Sequence, residues 1–510
     1  MNRHTMGLSD AIRIVGDSPW HGSPEPSYGP LQGCRTVGGA FHHSRREPGA
    51  VIGWTGWLSS AIAVIGLAGC QGLPAACDRD CVSSKLAART GHGLLNETGC
   101  GQIVYPNGAS LSDGLTEEEA VLLALWNNAA FQEQLVDWKI AHGDLVQAGL
   151  LPNPELFYVA SAPDKPFRYA VNVPLEALWL RPIRIAAAER ESYRVCERLT
   201  QAGLDLIRDA RQGYADLQLA RGRLRVAEQA EELRTRITRF AEARLDGGDA
   251  SPQEVATAKI DTLQAKQDVA RIRQDVALAE ERLRNVLGLS DDRTPLNPTD
   301  PAPTVQGDFD ADVLSAEAVA SRPDYLAIAQ AADAAAERLR LAQIGWFQFL
   351  GIADATNGTR TGHEFGGGFR MTLPIFNHNE GAIARAEAEW EKLCRQQQTI
   401  HNQIVLDVRQ AHLRYVQAKA ELEVLDGQTR PEVAAAIQRA ASAYRDGDVG
   451  YIVVLQTSRQ LIDAELRQEQ LHAELRRAWA ELERSVGRHL EAPAASALLE
   501  IKPPPAPAAN

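Results

Sequence analysis

The most regular feature of the chain is the spacing of its apolar residues, which recur alternately four and three positions apart over long segments. This spacing is the heptad signature of α-helices that pack side by side. Residues 258–286 and 404–425 carry such seams. A third seam, at 199–227, mixes small and large residues: Leu199, Gly203, Leu206, Ala210, Gly213, Leu217, Ala220, Leu224 and Ala227. The pattern predicts a mainly helical protein whose neighbouring helices approach closely.

The predicted helices are unusually long. Residues 181–245 contain no proline after Pro182 and would form a helix of about 98 Å. Residues 379–446, interrupted once at Pro431, would reach about 102 Å if they were continuous. A globular core does not need helices of this length. On the helices alone, an ordinary soluble coiled coil would explain the pattern.

The chain also contains an internal duplication. Residues 167–174 and 367–374 alternate apolar with polar or small residues, and both end at proline. Two further pairs of segments keep nearly the same offset: 244–247 with 444–447, and 281–288 with 480–487. The sequence therefore predicts two similar halves, 111–289 and 312–488. Each half should contain a short helix, a strand pair, a very long helix, a tight turn and a returning helix.

Aromatic residues are concentrated around the predicted strands, since regions 155–180 and 346–376 hold 11 of the 30 in the chain. We predict strands at 156–162, 167–174, 347–356 and 364–373. Tyr169, Val171, Val173, Phe369, Met371 and Leu373 would face lipid, and Asn172 and Thr372 would face water. Four strands cannot close a barrel around a channel, whereas three copies of the chain would supply twelve.

Charge and composition exclude several classes of function. The chain has 53 basic and 66 acidic residues, so its net charge is −13. It contains no long basic block of the kind that would indicate a nucleic-acid partner. The histidines have no partners at catalytic spacing, and no glycine loop of the phosphate-binding type is present. We therefore expect neither an enzyme nor a cofactor, and no metal site.

The N-terminal region predicts export. Arg45 and Arg46 precede an apolar run at 51–68, which ends in Leu-Ala-Gly-Cys at Cys70. This is typical of a signal peptide and resembles the bacterial lipobox, which implies cleavage before Cys70 and a lipid on its sulfur. A single spanning helix is the alternative, because 18 apolar residues reach the lower limit for crossing a bilayer. In an oxidising periplasm, one disulfide within the trio Cys77, Cys81 and Cys100 is expected.

Several short motifs appear in a fixed order along both halves. They are Ala-Gly-Leu-Leu-Pro-Asn-Pro-Glu-Leu at 148–156, Ser-Arg-Pro-Asp-Tyr-Leu at 321–326, and Leu-Pro-Ile-Phe-Asn-His-Asn-Glu-Gly at 373–381. Together with the duplicated turns, they resemble the TolC-like outer membrane factor family over most of 111–488. This family forms the exit ducts of tripartite efflux pumps, and the third motif is most similar to its heavy-metal and cation branch.

The resemblance implies a mainly α-helical homotrimer with a twelve-strand barrel in the outer membrane and a twelve-helix periplasmic tunnel. Such a channel passively conducts substrates exported by an inner-membrane RND pump. The resemblance also implies that the tunnel tip docks a periplasmic adaptor through Arg244, Asp246, Gly247, Asp249, Arg445, Asp446, Gly447 and Asp448. The strand-to-helix junctions would lie at Pro174 and Pro374.

The sequence departs from the family at one position of interest. Some members close the tip with aspartate rings after the second turn, but residues 451–456 contain no carboxylate. A threefold ring of Glu254 is our candidate for a cation-selective constriction. Glu254 could equally be a helix-start charge favoured by the macrodipole.

The expected organisation follows from these features. It comprises an N-terminal extension and lipoprotein-type signal peptide at 1–69, linkers at 70–110 and 290–311, repeats at 111–289 and 312–488, and a Pro/Ala-rich disordered tail at 489–510. The protein would be lipid-anchored in the outer membrane and extend into the periplasm. The competing hypothesis is a lipid-anchored periplasmic coiled-coil scaffold or adaptor without a pore. The aromatic strand pairs and the duplication favour the channel.

Overall fold

The computed structural model describes residues 75–95, 102–106, 111–160, 167–301, 309–358 and 362–490. The predicted signal peptide, Cys70 and Cys100 lie outside these ranges, as do residues 491–510 of the predicted tail. The helices are α1 (Arg79–Thr90), α2 (Glu117–Asn127), α3 (Ala129–Leu135), α4 (Asp137–Gly149), α5 (Glu176–Asp246), α6 (Pro252–Leu287), α7 (Ala311–Ser321), α8 (Pro323–Ile344), α9 (Glu380–Val424), α10 (Arg430–Arg445) and α11 (Tyr451–Val486). The strands are β1 (Glu155–Ala160), β2 (Phe167–Pro174), β3 (Phe349–Gly358) and β4 (Gly362–Met371).

The first long helix, α5, runs for 71 residues, or about 107 Å at the usual rise per residue. It begins five residues before the predicted start and passes through Pro182. The proline is tolerated because it lies within the first two turns, where few intrahelical hydrogen bonds are lost. After the turn, Ser251 caps α6 with its side chain and Pro252 takes the first helical position.

The second long helix is broken where the sequence predicted an interruption. Helix α9 ends at Val424, a π-helical turn spans Leu425–Thr429, and α10 continues to the tip. Pro431 has no backbone N–H, and the wider π turn accommodates the carbonyl that the proline cannot bond. The returning helix α11 has 36 residues, the same length as α6.

Helices of the two halves pack together along their length. Helix α5 contacts α6, α8 and α11, and α9 contacts α8 and α11. Ion pairs reinforce these contacts, as between the buried Arg211 of α5 and Glu483 of α11. Among the residues that the structure describes, no helix combines the length and the hydropathy needed to cross a membrane.

The four strands form one antiparallel sheet in the order β1-β2-β3-β4. Phe157, Val159, Leu350 and Ile352 lie on one face of the sheet. The register places most of the large apolar residues on the other face: Leu156, Tyr158, Tyr169, Val171, Val173, Phe349, Phe365, Phe369 and Met371. Those residues whose exposure is greatest, such as Phe365 at 85% and Leu156 at 72%, belong to this face. The opposite face carries the charged Glu155, Arg168, Asp354, Glu364 and Arg370.

The strand bounds differ from the prediction in the second hairpin. Strand β4 ends at Met371, so Thr372 and Leu373 follow the strand rather than belong to it. The glycine run at 366–368 lies inside β4. A Cβ on Gly366 would lie 2.3 Å from Oδ1 of Asp354, whose Oδ2 lies 3.1 Å from Nη2 of Arg168. Glycine therefore leaves room for a cross-strand ion pair.

The two segments predicted as linkers are packed against the helices. Helix α1 lies within 70–110 and buries Val82 and Leu86 in the core cluster that includes α5. In the second segment Leu296 is fully buried and Leu115 pairs with Pro298. Apolar residues at helical spacing in α1 account for its docking. The four described cysteines, Cys77, Cys81, Cys196 and Cys394, carry free thiols.

Candidate functional site

The two turns between the long helices and their returning partners have the same backbone design. In the first, Gly248 adopts φ +85° and the N–H of Asp249 donates to the carbonyl of Arg244 at 2.8 Å. In the second, Gly447 also adopts φ +85° and the N–H of Asp448 donates to the carbonyl of Ala443 at 2.9 Å. Each is a Schellman turn, which requires glycine at the left-handed position. Gly248, rather than Gly247, is therefore the structural equivalent of Gly447.

The two predicted arginines behave differently. Nη2 of Arg244 donates to the carbonyl of Asp249 at 3.1 Å, so this side chain spans its turn. Arg445 instead donates back along its own helix, to the carbonyl of Ala441 and the hydroxyl of Ser442. The Arg244 guanidinium also lies 4.7 Å from the centre of the Tyr444 ring, a cation–π contact between the two turns.

Two tyrosines connect the hairpins near the turns. The hydroxyl of Tyr444 donates to Oε1 of Glu254 at 2.7 Å, and the hydroxyl of Tyr451 donates to Oδ2 of Asp261 at 2.8 Å. The two acceptors are one heptad apart along a single helix, whereas the two donors, also seven residues apart, are separated by a chain reversal. The tyrosines flank the second turn and the carboxylates lie on α6. We call these four residues the tip latch.

An apolar cluster surrounds the tip latch. Ile237, Ala241, Val255, Ala258, Val454 and Leu455 pack with the two tyrosines. Burial, followed by the neighbouring Glu254 carboxylate, raises the pKa of Tyr444 to about 12. Burial and Asp261 raise the pKa of Tyr451 in the same direction. Both hydroxyls therefore remain protonated donors at physiological pH.

The outer surface of the turns is acidic. Asp246, Asp249, Asp446 and Asp448 are exposed, and Arg445 is exposed beside them. Farther from the turns, the helices present large apolar side chains to solvent: Phe240, Ile260, Leu263, Ile452 and Val453. The predicted tip residues are therefore brought together as two adjacent turns, with apolar helix surfaces beside them.

The predicted junctions lie where β2 and β4 lead into α5 and α9. Pro174 ends β2, and the next N–H, of Leu175, donates to the carbonyl of Phe349 at 2.9 Å. Pro374 follows β4, and Asn379 then adopts φ +68° at the N-cap of α9. The amide of Asn379 donates to the carbonyl of Ala342 at 2.8 Å, which fixes the start of the helix.

Tyr444, Tyr451 and Asp261 were not among the site residues predicted from the sequence. A usable signal existed, since two tyrosines and two carboxylates each recur after seven residues beside the turns. Glu254, predicted as a constriction residue, is half-buried and engaged by Tyr444 within one chain. That Glu254 belongs to a threefold ring stays a prediction.

Comparisons with known proteins agree with this architecture. A family model described as "Outer membrane efflux protein" matches residues 167–289. The cobalt-zinc-cadmium resistance protein CzcC of Cupriavidus metallidurans is 24% identical over 410 residues, which cover 77% of this chain and 94% of CzcC. The cation efflux system protein CusC of Escherichia coli strain K12 is 25% identical over 295 residues, covering 54% and 63% of the two chains.

The fold is also found in solved structures. The outer-membrane channel OprN superposes with a TM-score of 0.64 at 18% identity, covering 76% of this chain and 94% of that channel. The fold is therefore that of TolC-like outer membrane channels, which combine a helical tunnel with a β-barrel. The resemblance predicted from the sequence, including its link to heavy-metal efflux relatives, is confirmed.

Proposed function

We propose that the chain is the outer membrane component of a tripartite efflux system and that three copies form its conduit. The sheet carries this proposal. Its β1 and β4 edges have no partner strand among the residues that the structure describes, and one face carries most of the large apolar side chains. In hydrocarbon an open sheet edge leaves backbone groups unsatisfied, at several kcal/mol each. Pairing β4 of one copy with β1 of the next removes every edge in a twelve-strand barrel.

The helices support the same assembly. Helix α5, at about 107 Å, would continue from the barrel into the periplasm. The conduit would be passive, because an inner-membrane pump of the RND type supplies the driving energy. The scaffold hypothesis gives no role to the exposed apolar face of the sheet, which would be a liability in a periplasmic protein without a membrane-embedded part.

The proposed cargo is a metal cation. The relatives are named for cobalt-zinc-cadmium resistance and for cation efflux. If the proposal is correct, deletion of the gene will sensitise cells to salts of these metals more than to organic antibiotics. Greater sensitivity to the antibiotics alone would favour a drug-efflux role and leave the channel proposal standing.

We propose that the turns dock the periplasmic adaptor, through the backbone turns and the exposed Asp246, Asp249, Asp446 and Asp448. The double variant Asp246→Lys and Asp446→Lys reverses this surface charge without touching the tip latch. It should lose adaptor capture in a cross-linking assay and should lose metal resistance. Asp291→Lys, an exposed reversal in the segment after α6 and far from the turns, is the matched control. Equal capture by both variants would contradict the docking role.

Glu254 remains the proposed constriction residue. In planar-bilayer recordings, Glu254→Gln should reduce cation over anion selectivity, because a threefold ring of carboxylates attracts cations. Tyr444→Phe is the control, since it removes the hydrogen bond to Glu254 but keeps its charge. Unchanged selectivity in Glu254→Gln would contradict the role of Glu254 as the constriction residue.

Membrane attachment would come from both the barrel and a lipid on Cys70. The test of the whole proposal is fractionation followed by electrical recording. The protein should sediment with outer membranes, resist extraction by salt and form conducting channels in lipid bilayers. Release by salt, or membranes that stay electrically silent, would favour the scaffold. Cys70→Ala should remove acylation of the N-terminal peptide while the barrel stays in the membrane.

A further inference from the structure

Three cysteines from two distant parts of the sequence meet where α1 packs on α5. The Sγ atoms of Cys81 on α1 and Cys196 on α5 lie 3.5 Å apart, although 115 positions separate them in the chain. The Cys77 thiol, one residue before the N-cap of α1, also hydrogen-bonds to Cys196. The channel function uses none of these groups, and the disulfide expected from the sequence lay within the trio Cys77, Cys81 and Cys100.

The backbone around the thiols is firmly placed. Leu86 of α1 is fully buried, and a Cβ on Gly203 of α5 would lie only 2.8 Å from its methyl carbons, so the helices are in close contact. Asp78 caps α1 by accepting the N–H of Cys81 at 2.7 Å. One turn farther along, Lys85 bonds Glu197 of α5 at 2.5 Å. Cys81 and Cys196 are thus held together by contacts on both sides.

Exposure distinguishes the three thiols. Cys77 and Cys196 are 1% and 0% exposed, whereas Cys81 is partly accessible. A soluble oxidant can therefore reach Cys81 first. The sulfur–sulfur distance of 3.5 Å exceeds the length of a disulfide bond by about 1.5 Å.

We propose that Cys81 and Cys196 form a disulfide that fastens α1 to the long helix α5 in the mature protein. The inference rests on the proposed export of the chain to the oxidising periplasm. The Cys81 thiolate attacks the disulfide of a periplasmic thiol oxidase, expels one of its sulfurs as a thiolate and forms a mixed disulfide. The Cys196 thiolate then attacks Cys81 and releases the oxidase as a dithiol, which takes up the two protons and two electrons.

The timing of this step follows from the site. The thiol–thiol hydrogen bond and burial raise the pKa of Cys81, while the contact with Cys77 and burial raise that of Cys196 to about 12. Few thiolates are therefore available once α1 has docked, because the thiolate is the reacting species. The bond should form while the chain folds and should persist afterwards.

Tryptic mapping tests the pairing directly, because cleavage at arginine and lysine separates the three thiols. The full chain is isolated from outer membranes, its free thiols are blocked with N-ethylmaleimide, and it is digested without reductant. The expected product joins peptide 80–85 to peptide 195–198 and disappears on reduction. Blocked thiols on both peptides, or a link from Cys77 or Cys100 to either, would overturn the proposal.

A second measurement covers variants that fold poorly. Wild type should migrate faster on non-reducing than on reducing gels, because the bond closes a 115-residue loop. Its thermal midpoint should also fall by several degrees in dithiothreitol. Cys81→Ser should show neither effect, whereas Cys394→Ser, which changes a cysteine on α9, should behave as wild type. Protein that sediments with outer membranes yet shows no linked peptide defeats this inference alone, whereas protein absent from them defeats the proposed function.

Discussion

The two long helices differ in how much of their surface their own chain covers. Helix α5 buries residues along its whole length, from Ala177 to Ala241. Helix α9 buries none of its first 24 residues; Ile404 is the first, and Trp390 remains 43% exposed. The duplicated halves thus share a design but not an environment. The first part of α9 is therefore poorly covered within one chain, as an element at a boundary between copies should be.

The two halves also differ in the contact made at the end of each returning helix. Helices α6 and α11 both end at a left-handed glycine, Gly288 and Gly487. In each half a helix-capping residue donates to the carbonyl two positions before that glycine. Asn128 reaches Val286 at 2.9 Å, and Arg322 reaches Ser485 at 3.3 Å. The first half makes this contact with a neutral amide and the second with a buried guanidinium.

The glycines should give the largest difference. A Cβ on Gly288 would lie 2.2 Å from the backbone oxygen of Asn127, whereas one on Gly487 would meet the side chain of Arg322 at 3.2 Å. Both also have positive φ. Gly288→Ala should cost about 3–4 kcal/mol, from backbone strain and overpacking, and Gly487→Ala about 1–2 kcal/mol. Chemical unfolding of both variants measures this, and equal losses would contradict the difference inferred here.

The capping residues come next. Arg322 is 2% exposed and pairs with Asp324 at 2.5 Å and Asp407 at 3.3 Å. Arg322→Leu leaves Asp324 without its guanidinium partner and should cost about 3 kcal/mol, although Asp407 keeps Arg484 at 3.5 Å. Asn128→Ala removes a cap and one hydrogen bond and should cost about 1–2 kcal/mol. The free energies of unfolding should keep this order, and the reverse order would refute our account of the charged contact.

The tip latch offers a smaller effect. Tyr451→Phe leaves the buried Asp261 without its donor and should cost about 1–2 kcal/mol, whereas Tyr444→Phe, opposite the half-buried Glu254, should cost about 0.5–1 kcal/mol. Hydrogen exchange at the two turns should rise in both variants and more in Tyr451→Phe. Protection unchanged in both would mean that the latch does not hold the hairpins together.

The latch also predicts a pH dependence. An unfolded tyrosine ionises near pH 10, whereas Tyr444 in the folded chain keeps its proton until about pH 12. Its stabilisation is therefore complete below pH 10 and is lost as the pH rises from 10 to 12. Exchange at the turns should be flat from pH 6 to 9, after correction for intrinsic rates. Tyr444→Phe should lose the part of the alkaline loosening that this residue causes.

The prolines should give the smallest effect. Pro431→Ala restores a backbone donor beside the π turn, whereas Pro182→Ala acts within the first two turns of α5. We expect changes below about 1 kcal/mol in either variant, because each helix already accommodates its proline. A loss of several kcal/mol in Pro431→Ala would show that the π turn is required, and would alter the interpretation of the second hairpin.

The sequence predicted most of this architecture because its signals are long and periodic. The spacing of apolar residues predicted the seam from Leu199 to Ala227, and the proline at 431 predicted the break in the second long helix. Helix α1 and the turn equivalence were not. The docking of α1 depends on Gly203 admitting Leu86, a contact between residues more than 100 positions apart. The equivalence of Gly248 and Gly447 depends on φ, which a Gly-Gly pair leaves undecided.

The tip latch shows the same limit. Tyr444 and Glu254 are 190 positions apart, and only the packing of one hairpin on the other brings them together. The seven-residue spacing of the two tyrosines and of the two carboxylates can be seen in the sequence. It does not identify which tyrosine bonds which carboxylate. Charged residues such as Arg322 are equally hard to recognise, because a buried guanidinium reads as a surface charge in the sequence.

The central claim is that three chains enclose one bore. Single-particle electron microscopy of the detergent-purified protein tests it most directly. The account predicts a threefold particle in which β4 of each copy pairs with β1 of the next, around a continuous hollow core. A single-chain particle, or helices that pack into a bundle without a bore, would contradict it.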